Sequence, residues 1–196
     1  MQDHYFANNP QLEHDYRQVE IRLGDKTHIF TTDSGTFSRE RWDEGSRLMV
    51  TTLPPLTGMV ADIGCGWGGI GLPTALLNPN AHFVLIDINE RAVRMAQKNI
   101  VELKINNARA QCGDGLNGIN AAFDAVLLNP PIRAGKKTVF DLYAQAYQGL
   151  KPGAVLYIVI RKQQGAPSTK THLEEMFADV QVMHKKNGYW IIAALK

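Results

Sequence analysis

The sequence predicts an α/β fold: a mostly parallel sheet with helices on both faces and an antiparallel hairpin at its C-terminal end. Three observations carry this. From about residue 54, short β-branched apolar runs alternate with segments of helical periodicity, the pattern of parallel strands joined by crossover helices. A glycine cluster, Gly64-Cys65-Gly66-Trp67-Gly68-Gly69, directly follows the first of these runs. Asn187-Gly188 separates the last two runs, and Asn-Gly between strands is a strong hairpin signal. At 196 residues with 44% hydrophobic residues, the chain is long enough for one domain with a sizeable core.

Residues 1–53 do not follow the alternation. Val19, Ile21 and Leu23 alternate with polar residues, and Gly24-Asp25 turns the chain toward Thr27-His28-Ile29-Phe30, which predicts a β-hairpin. Two small loops, 34–38 and 43–46, then lead to a short apolar helix around Leu48-Met49. We read this segment as an N-terminal extension packed on a main domain of residues 54–196. The first main strand is 59–63, followed by the glycines and a helix through Leu76-Leu77. Pro73 belongs in the first turns of that helix, because deeper in it would cost about 3 kcal/mol. The second strand is 82–86. Asn89 caps the next helix, whose Ala92, Val93, Ala96, Ile100 and Leu103 make one apolar stripe. A short strand over 109–112 and a buried one over 123–128 follow, the latter stopped by Pro130 and Pro131. Val139, Leu142, Tyr143, Ala146 and Leu150 predict a helix ended by Pro152-Gly153. A strand over 154–160, a helix over 168–177 and the final strands 180–184 and 189–195 complete the chain.

Composition narrows the function. Lys+Arg 21 against Asp+Glu 19 leaves a net charge of +2, so nucleic acid would have to be met by a local basic patch. The two cysteines, Cys65 and Cys112, are far apart and lack zinc or disulfide spacing, and the six histidines lack ligand spacing; no metal is expected. The N-terminus has no basic-then-apolar leader pattern, and no apolar run approaches the roughly 18 to 20 residues that span a bilayer. The expectation is a cytoplasmic protein without membrane contact, as a monomer or a homodimer.

Gly64, Gly66 and Gly68 let the backbone turn tightly after a strand and approach a ligand closely, with a helix N-terminus behind. Asp87, with Ile88 beside it, ends the next strand roughly 20 residues on, the spacing at which a carboxylate meets ribose hydroxyls. The cluster also satisfies GxGxxG, which keeps a nicotinamide dinucleotide in play for an oxidoreductase or a catalytically silent nucleotide-binding module. Asp62 argues against it. A carboxylate just before the glycines repels a pyrophosphate but suits the cationic, phosphate-free S-adenosylmethionine; the plainer alternative is that Asp62 braces the loop. Asp114-Gly115, after the third strand, offers an acceptor for the adenine amino group or an ordinary turn. Cys65 has no neighbouring base and is read as loop packing.

Asn129-Pro130-Pro131-Ile132 falls at the carboxyl end of a strand, where ligands collect in open α/β sheets. Stiffened by prolines, the Asn129 side-chain oxygen and the Pro130 carbonyl offer two converging acceptors that would grip an amine and turn its lone pair toward an electrophile. Arg133, Lys136 and Lys137 follow this loop, while Arg161 and Lys162 follow the fifth strand; together they predict a basic rim for phosphates, or else a solvated charged face.

The motifs Asp62-Ile63-Gly64-Cys65-Gly66-Trp67-Gly68, Asp87 and Asn129-Pro130-Pro131-Ile132 resemble those of class I S-adenosylmethionine-dependent N-methyltransferases. More narrowly, Gly35-Thr36-Phe37-Ser38, Asp43-Glu44-Gly45-Ser46, Ile132-Arg133-Ala134-Gly135-Lys136 and Lys162-Gln163-Gln164-Gly165-Ala166 resemble the small-domain (MTS) methyltransferases of the RsmC type, which methylate guanine N2 in small-subunit ribosomal RNA. His4-Tyr5-Phe6 and Gly188-Tyr189-Trp190 are similar to the compact single-domain branch. The resemblance implies a Rossmann-like, seven-stranded methyltransferase sheet. It also implies a cofactor site of Asp62, Gly64, Cys65, Gly66, Asp87, Ile88, Asp114, Gly115 and Asn129, with Asn129 and Pro130 catalytic. Gly45, Ser46, Pro131, Ile132, Arg133, Lys136, Lys137, Arg161 and Lys162 would face the RNA. Two residues depart from the pattern: Trp67 stands where a smaller aromatic or polar residue is usual, and Ile132 where many amine methyltransferases stack Tyr or Phe on the target base. Because NPP loops also serve enzymes acting on protein glutamine or DNA adenine, those substrates stay open.

Overall fold

The computed structural model describes residues 13–120 and 122–196; His4, Tyr5 and Phe6 lie outside them. The chain opens with an antiparallel hairpin, β1 (Arg17–Leu23) and β2 (Lys26–Thr32), turned at Gly24 with φ +58°. Val19, Ile21 and Phe30 point inward and are buried, as the alternation predicted. Then come α1 (Glu44–Thr52), β3 (Gly58–Ile63), α2 (Gly71–Leu77), β4 (Ala81–Asp87), α3 (Glu90–Glu102), β5 (Ala108–Cys112) and β6 (Phe123–Leu128). The chain ends with α4 (Lys136–Gly149), β7 (Leu150–Arg161), α5 (Ala166–Glu174), β8 (Asp179–Lys186) and β9 (Tyr189–Leu195).

Seven strands form one sheet in the order β5-β4-β3-β6-β7-β9-β8. Its first four contacts are parallel, and β9 runs antiparallel to both β7 and β8. Asn187 and Gly188 have φ of 49° and 80°, the left-handed pair that a two-residue hairpin turn requires. The central strands are buried on both faces, hence their unbroken apolar runs. Val60, Phe83, Leu85 and Leu127 face a core shared with α1, α2, α3 and the N-terminal hairpin. Ala61, Val84, Val126 and Ile158 face α4 and α5.

Several boundaries differ from the sequence reading, three of them with a clear local cause. Residues 44–46 are the first turn of α1 rather than a loop, because the Asp43 carboxylate accepts from Ser46 N at 2.8 Å and caps the helix. Pro152-Gly153 lies within β7 instead of ending α4. Leu150 already pairs with Phe123, the register shifts before Ala125, and Gly153 N donates to Lys196 O at 2.9 Å, so the proline occupies an irregular strand end. Helix α5 begins two residues before position 168, where Gly165 at φ +106° breaks the preceding turn.

Candidate active site

Strand register sets the site. Ile63 pairs with Ile86 on one side and Leu128 on the other, so Gly64, Asp87 and Asn129 leave three adjacent strands at one level. The chain proceeds from β3 outward to β5 and then returns to β6 on the opposite side, which makes this the switch point where α/β sheets hold ligands.

The loop after β3 is built by its backbone. Gly64 N and Cys65 N both donate to Ile86 O, at 2.8 and 3.1 Å, and Gly66 N donates to the Asp87 carboxylate at 2.8 Å. Gly64 and Gly66 have φ of 67° and 57°, and a Cβ built at either would meet no atom within 4 Å. The loop therefore presents bare backbone to open space, a cradle that side chains would fill. The other Asp87 oxygen accepts from Asn89 N at 2.9 Å. Burial pushes the Asp87 carboxyl above its usual range, partly offset by those N–H donors.

Asp62 is only 1% exposed, and its carboxylate accepts from Gly71 N at 2.8 Å, bracing the start of α2. Burial pushes its pKa up to about 7; the Gly71 N–H opposes this and the Asp87 charge adds to it. Two acids thus sit behind a loop with no cation of the chain bonded to either carboxylate among the described hydrogen bonds. That environment fits a positively charged ligand and opposes a phosphate. Cys65 is buried, with its thiol pushed well up by burial and by Asp87 and Asp62, so it is no nucleophile.

The remaining cofactor candidates diverge. Ile88 is 53% exposed beside the site. Gly113 N donates to Asp87 O at 3.0 Å, which brings the β5 loop alongside, and Asp114 is exposed there with Asn117 Nδ2 donating to it at 3.4 Å. Gly115 has a packing role: a Cβ would lie 2.1 Å from Gln145 Oε1, which accepts from Leu116 N.

At the end of β6, Ile132 N donates to Pro130 O at 2.9 Å around Pro131, with φ −75° and ψ 77°, an inverse γ-turn. One lone pair of the Pro130 carbonyl is used and one is left. Asn129 Nδ2 donates to Asp43 Oδ2 at 3.4 Å and to Ser46 Oγ at 3.3 Å. Asp43 is the site neighbour that the sequence reading missed; an Asp ahead of an apolar run signals the cap of α1, but its contact with Asn129, 86 residues away, has no local signal. Gly45 is buried, and a Cβ there would stand 2.7 Å from the Tyr189 ring, so it lets α1 approach β9. Ile132 is partly buried against the α4 side of the core.

The basic residues rest on different layers of the fold. Arg161 lies over the Tyr189 ring, 4.5 Å from its centroid, and lines a cleft of about 1100 Å³ with Arg22, Arg39, Arg41 and Arg47, four residues the sequence reading did not single out. Asp43, Glu44 and the 34–38 loop line the same cleft. Arg133, Lys136 and Lys137 are exposed at the start of α4, where Lys136 lies 5.0 Å from the centroid of the Phe140 ring, on the sheet face opposite α1. Lys162 is exposed just beyond Arg161.

Trp67 belongs to the core: 3% exposed, it packs on Phe30 with centroids 5.6 Å apart and donates to Phe37 O at 2.9 Å. Asn99, fully buried, donates to Trp67 O and Thr31 O, both at 2.9 Å. The glycine loop is thereby tied to the N-terminal segment. Among the described residues no group of three His, Cys, Asp or Glu could hold a metal ion, and no helix is long and apolar enough to cross a membrane.

This fold and loop arrangement define a class I S-adenosylmethionine-dependent methyltransferase. The solved structure of the Thermus (T. thermophilus) 16S rRNA N2 guanine methyltransferase RsmC, in complex with AdoMet and guanosine, matches 96% of this chain and 52% of its own at TM-score 0.83 and 25% identity. The methyltransferase small domain family matches residues 27–193, and the chain belongs to that family. The Bacillus subtilis protein YbxB, itself named as uncharacterized, is 40% identical over the full length of both chains. The ribosomal RNA small subunit methyltransferase C of Vibrio cholerae is 31% identical over 83% of this chain. The large subunit methyltransferase G of Pseudomonas fluorescens is 33% identical over 91%. The chain spans about half the length of these two, at 48% and 49%.

Proposed function

We propose that the protein transfers a methyl group to the exocyclic N2 amine of a guanine in small-subunit ribosomal RNA. One observation carries this reading: Asn129-Pro130 leaves β6 at the level where Gly64 leaves the neighbouring β3, so in this reading two amine acceptors stand beside the glycine loop at the end of the sheet where ligands collect. The relatives named for ribosomal RNA methylation, and the neighbour whose structure holds guanosine, support RNA over protein glutamine or DNA adenine.

When bound, S-adenosylmethionine supplies an electrophilic methyl group on a sulfonium. In our reading Gly64 and Gly66 admit it, Asp87 accepts from its ribose, and Asp62 adds negative potential near its cationic end. Asn129 Oδ1 and the free lone pair of Pro130 O accept the two amine hydrogens, which directs the nitrogen lone pair at the methyl group. The nitrogen becomes acidic as it is methylated and releases its proton to water, so the chain's contribution is positioning. Arg161 and the cleft arginines meet the RNA phosphates on one side, and Arg133, Lys136 and Lys137 on the other.

The test supplies methyl-labelled S-adenosylmethionine with separated RNA, DNA and protein fractions. Label should enter small-subunit RNA and digest to N2-methylguanosine; label confined to protein or DNA overturns the substrate. Asn129→Ala should keep cofactor binding while transfer falls by roughly 10²-fold, and near-normal turnover in that variant would sink the amine-gripping role.

A further inference from the structure

Resting on that reading, we infer that Asp43 is a positioning residue: through its carboxylate and Ser46 it sets which way the Asn129 side-chain amide faces. An Asn amide can be turned over with little change in shape, yet only one orientation offers an oxygen to a substrate amine. The other presents N–H to N–H and blocks binding.

The contacts decide between them. Asp43 Oδ2 accepts from Ser46 N at 2.8 Å and from Ser46 Oγ at 3.1 Å. Having donated its hydrogen there, Ser46 Oγ turns a lone pair toward Asn129, 3.3 Å away. The same Asp43 oxygen lies 3.4 Å from Asn129. A carboxylate oxygen only accepts, so both neighbours demand the NH2 end of the amide. Planarity then puts Oδ1 on the other side of Cγ. Turning the amide over would set its oxygen against two acceptors. Both contacts are long, so what they impose is a choice of orientation more than a tight bond.

The device depends on where α1 is held. Its N-terminus is seated against β9, since a Cβ at Gly45 would fall 2.7 Å from Tyr189 Cε1. Asp43 therefore has a second role, as the α1 cap, and the test must separate the two.

Asp43→Ser keeps a good capping group, but its shorter side chain withdraws from Asn129. Asp43→Asn keeps an amide oxygen where Oδ2 stands. With methyl-labelled S-adenosylmethionine and small-subunit ribosomal RNA, Asp43→Ser should bind the cofactor within about twofold of the parent. Its kcat should fall roughly 10-fold with KM little changed. Asp43→Asn should restore most of kcat, and Asp43→Ser added to Asn129→Ala should cost nothing further, because its effect runs through Asn129.

The inference is overturned by an unchanged kcat in Asp43→Ser, by equal losses in Asp43→Asn and Asp43→Ser, or by losses that multiply in the double variant. Full kcat in Asn129→Ala alone would instead overturn the amine-gripping reading beneath it. A readout without turnover is the Asn129 side-chain NH2 resonance pair, identified by its disappearance in Asn129→Ala. It should shift in Asp43→Ser and hold in Asp43→Asn; resonances unmoved in Asp43→Ser refute the contact.

Discussion

Replacing Asp62 with Asn should make the cofactor-free protein more stable at alkaline pH while weakening S-adenosylmethionine binding. The Asp62 carboxyl is 1% exposed, and burial raises its pKa from 3.8 to about 7. A folded acid with a raised pKa holds its proton more tightly than the unfolded chain does. Its contribution to stability is therefore complete below pH 3.8, declines as pH rises toward about 7, and is constant above that. A displacement of about 3 units at 1.36 kcal/mol each sets a ceiling of about 4 kcal/mol, of which about 3 falls between pH 5 and 8. Asn keeps an oxygen to accept from Gly71 N and carries no charge, so Asp62→Asn removes this slope. In urea denaturation the parent should lose more stability than the variant between pH 5 and 8, leaving the variant the more stable at pH 8. Calorimetric titration with S-adenosylmethionine at pH 8 should show weaker binding by the variant, because the negative potential behind the loop has gone. If Asp62→Asn is equally destabilised at both pH values, the carboxyl is not paying a burial cost and the reasoning fails.

Three further outcomes follow from the geometry. Gly45→Ala should destabilise by about 1 to 3 kcal/mol in urea, since its Cβ would overlap the Tyr189 ring at 2.7 Å; an unchanged midpoint contradicts the close approach of α1 to β9. Native protein should titrate one thiol rapidly, the exposed Cys112, and the buried Cys65 only after denaturation, so two fast thiols would count against the loop geometry. The pair Arg41→Ala and Arg47→Ala should lower the slope of log binding constant against log salt for RNA by up to about 2. Loss of slope only in Lys136→Ala with Lys137→Ala would move the RNA to the α4 side.

The strands and the crevice were legible because each rests on a local signal. The apolar run from Phe123 to Leu128 ends at two prolines, and Asn187-Gly188 specifies a turn by its backbone conformation alone. Pro152-Gly153 misled because a proline also marks an irregular strand end, and only the partner strand tells the two apart. Charge was harder to read. Arg161 and Lys136 are 25 positions apart, but Arg161 ends β7 and packs on Tyr189 on the α1 side while Lys136 begins α4 and packs on Phe140 on the α4 side. Strand alternation along β7 puts Arg161 on the face of Tyr157 and Val159, whereas the seat of α4, which carries Lys136, is a nonlocal fact.

The same limit explains why the N-terminal segment looked peripheral. Its contribution runs through contacts spanning from 27 to 86 residues: Trp42 Nε1 to Gly69 O, Trp67 Nε1 to Phe37 O, Asn99 to Thr31, and Asn129 to Asp43. Each joins residues 31–43 to the glycine loop, to α3 or to the Asn-Pro-Pro turn. The sheet alone supplies backbone geometry for a cofactor, since Gly64, Asp87 and Asn129 are aligned by strand register. It does not settle the facing of a side-chain amide whose two ends are nearly the same size. That choice needs an acceptor from outside the sheet, and the cap of α1 is in place to provide it. A segment that reads as an addition to the main domain is thus, in the mechanism proposed, where the difference between accepting and repelling an amine is decided.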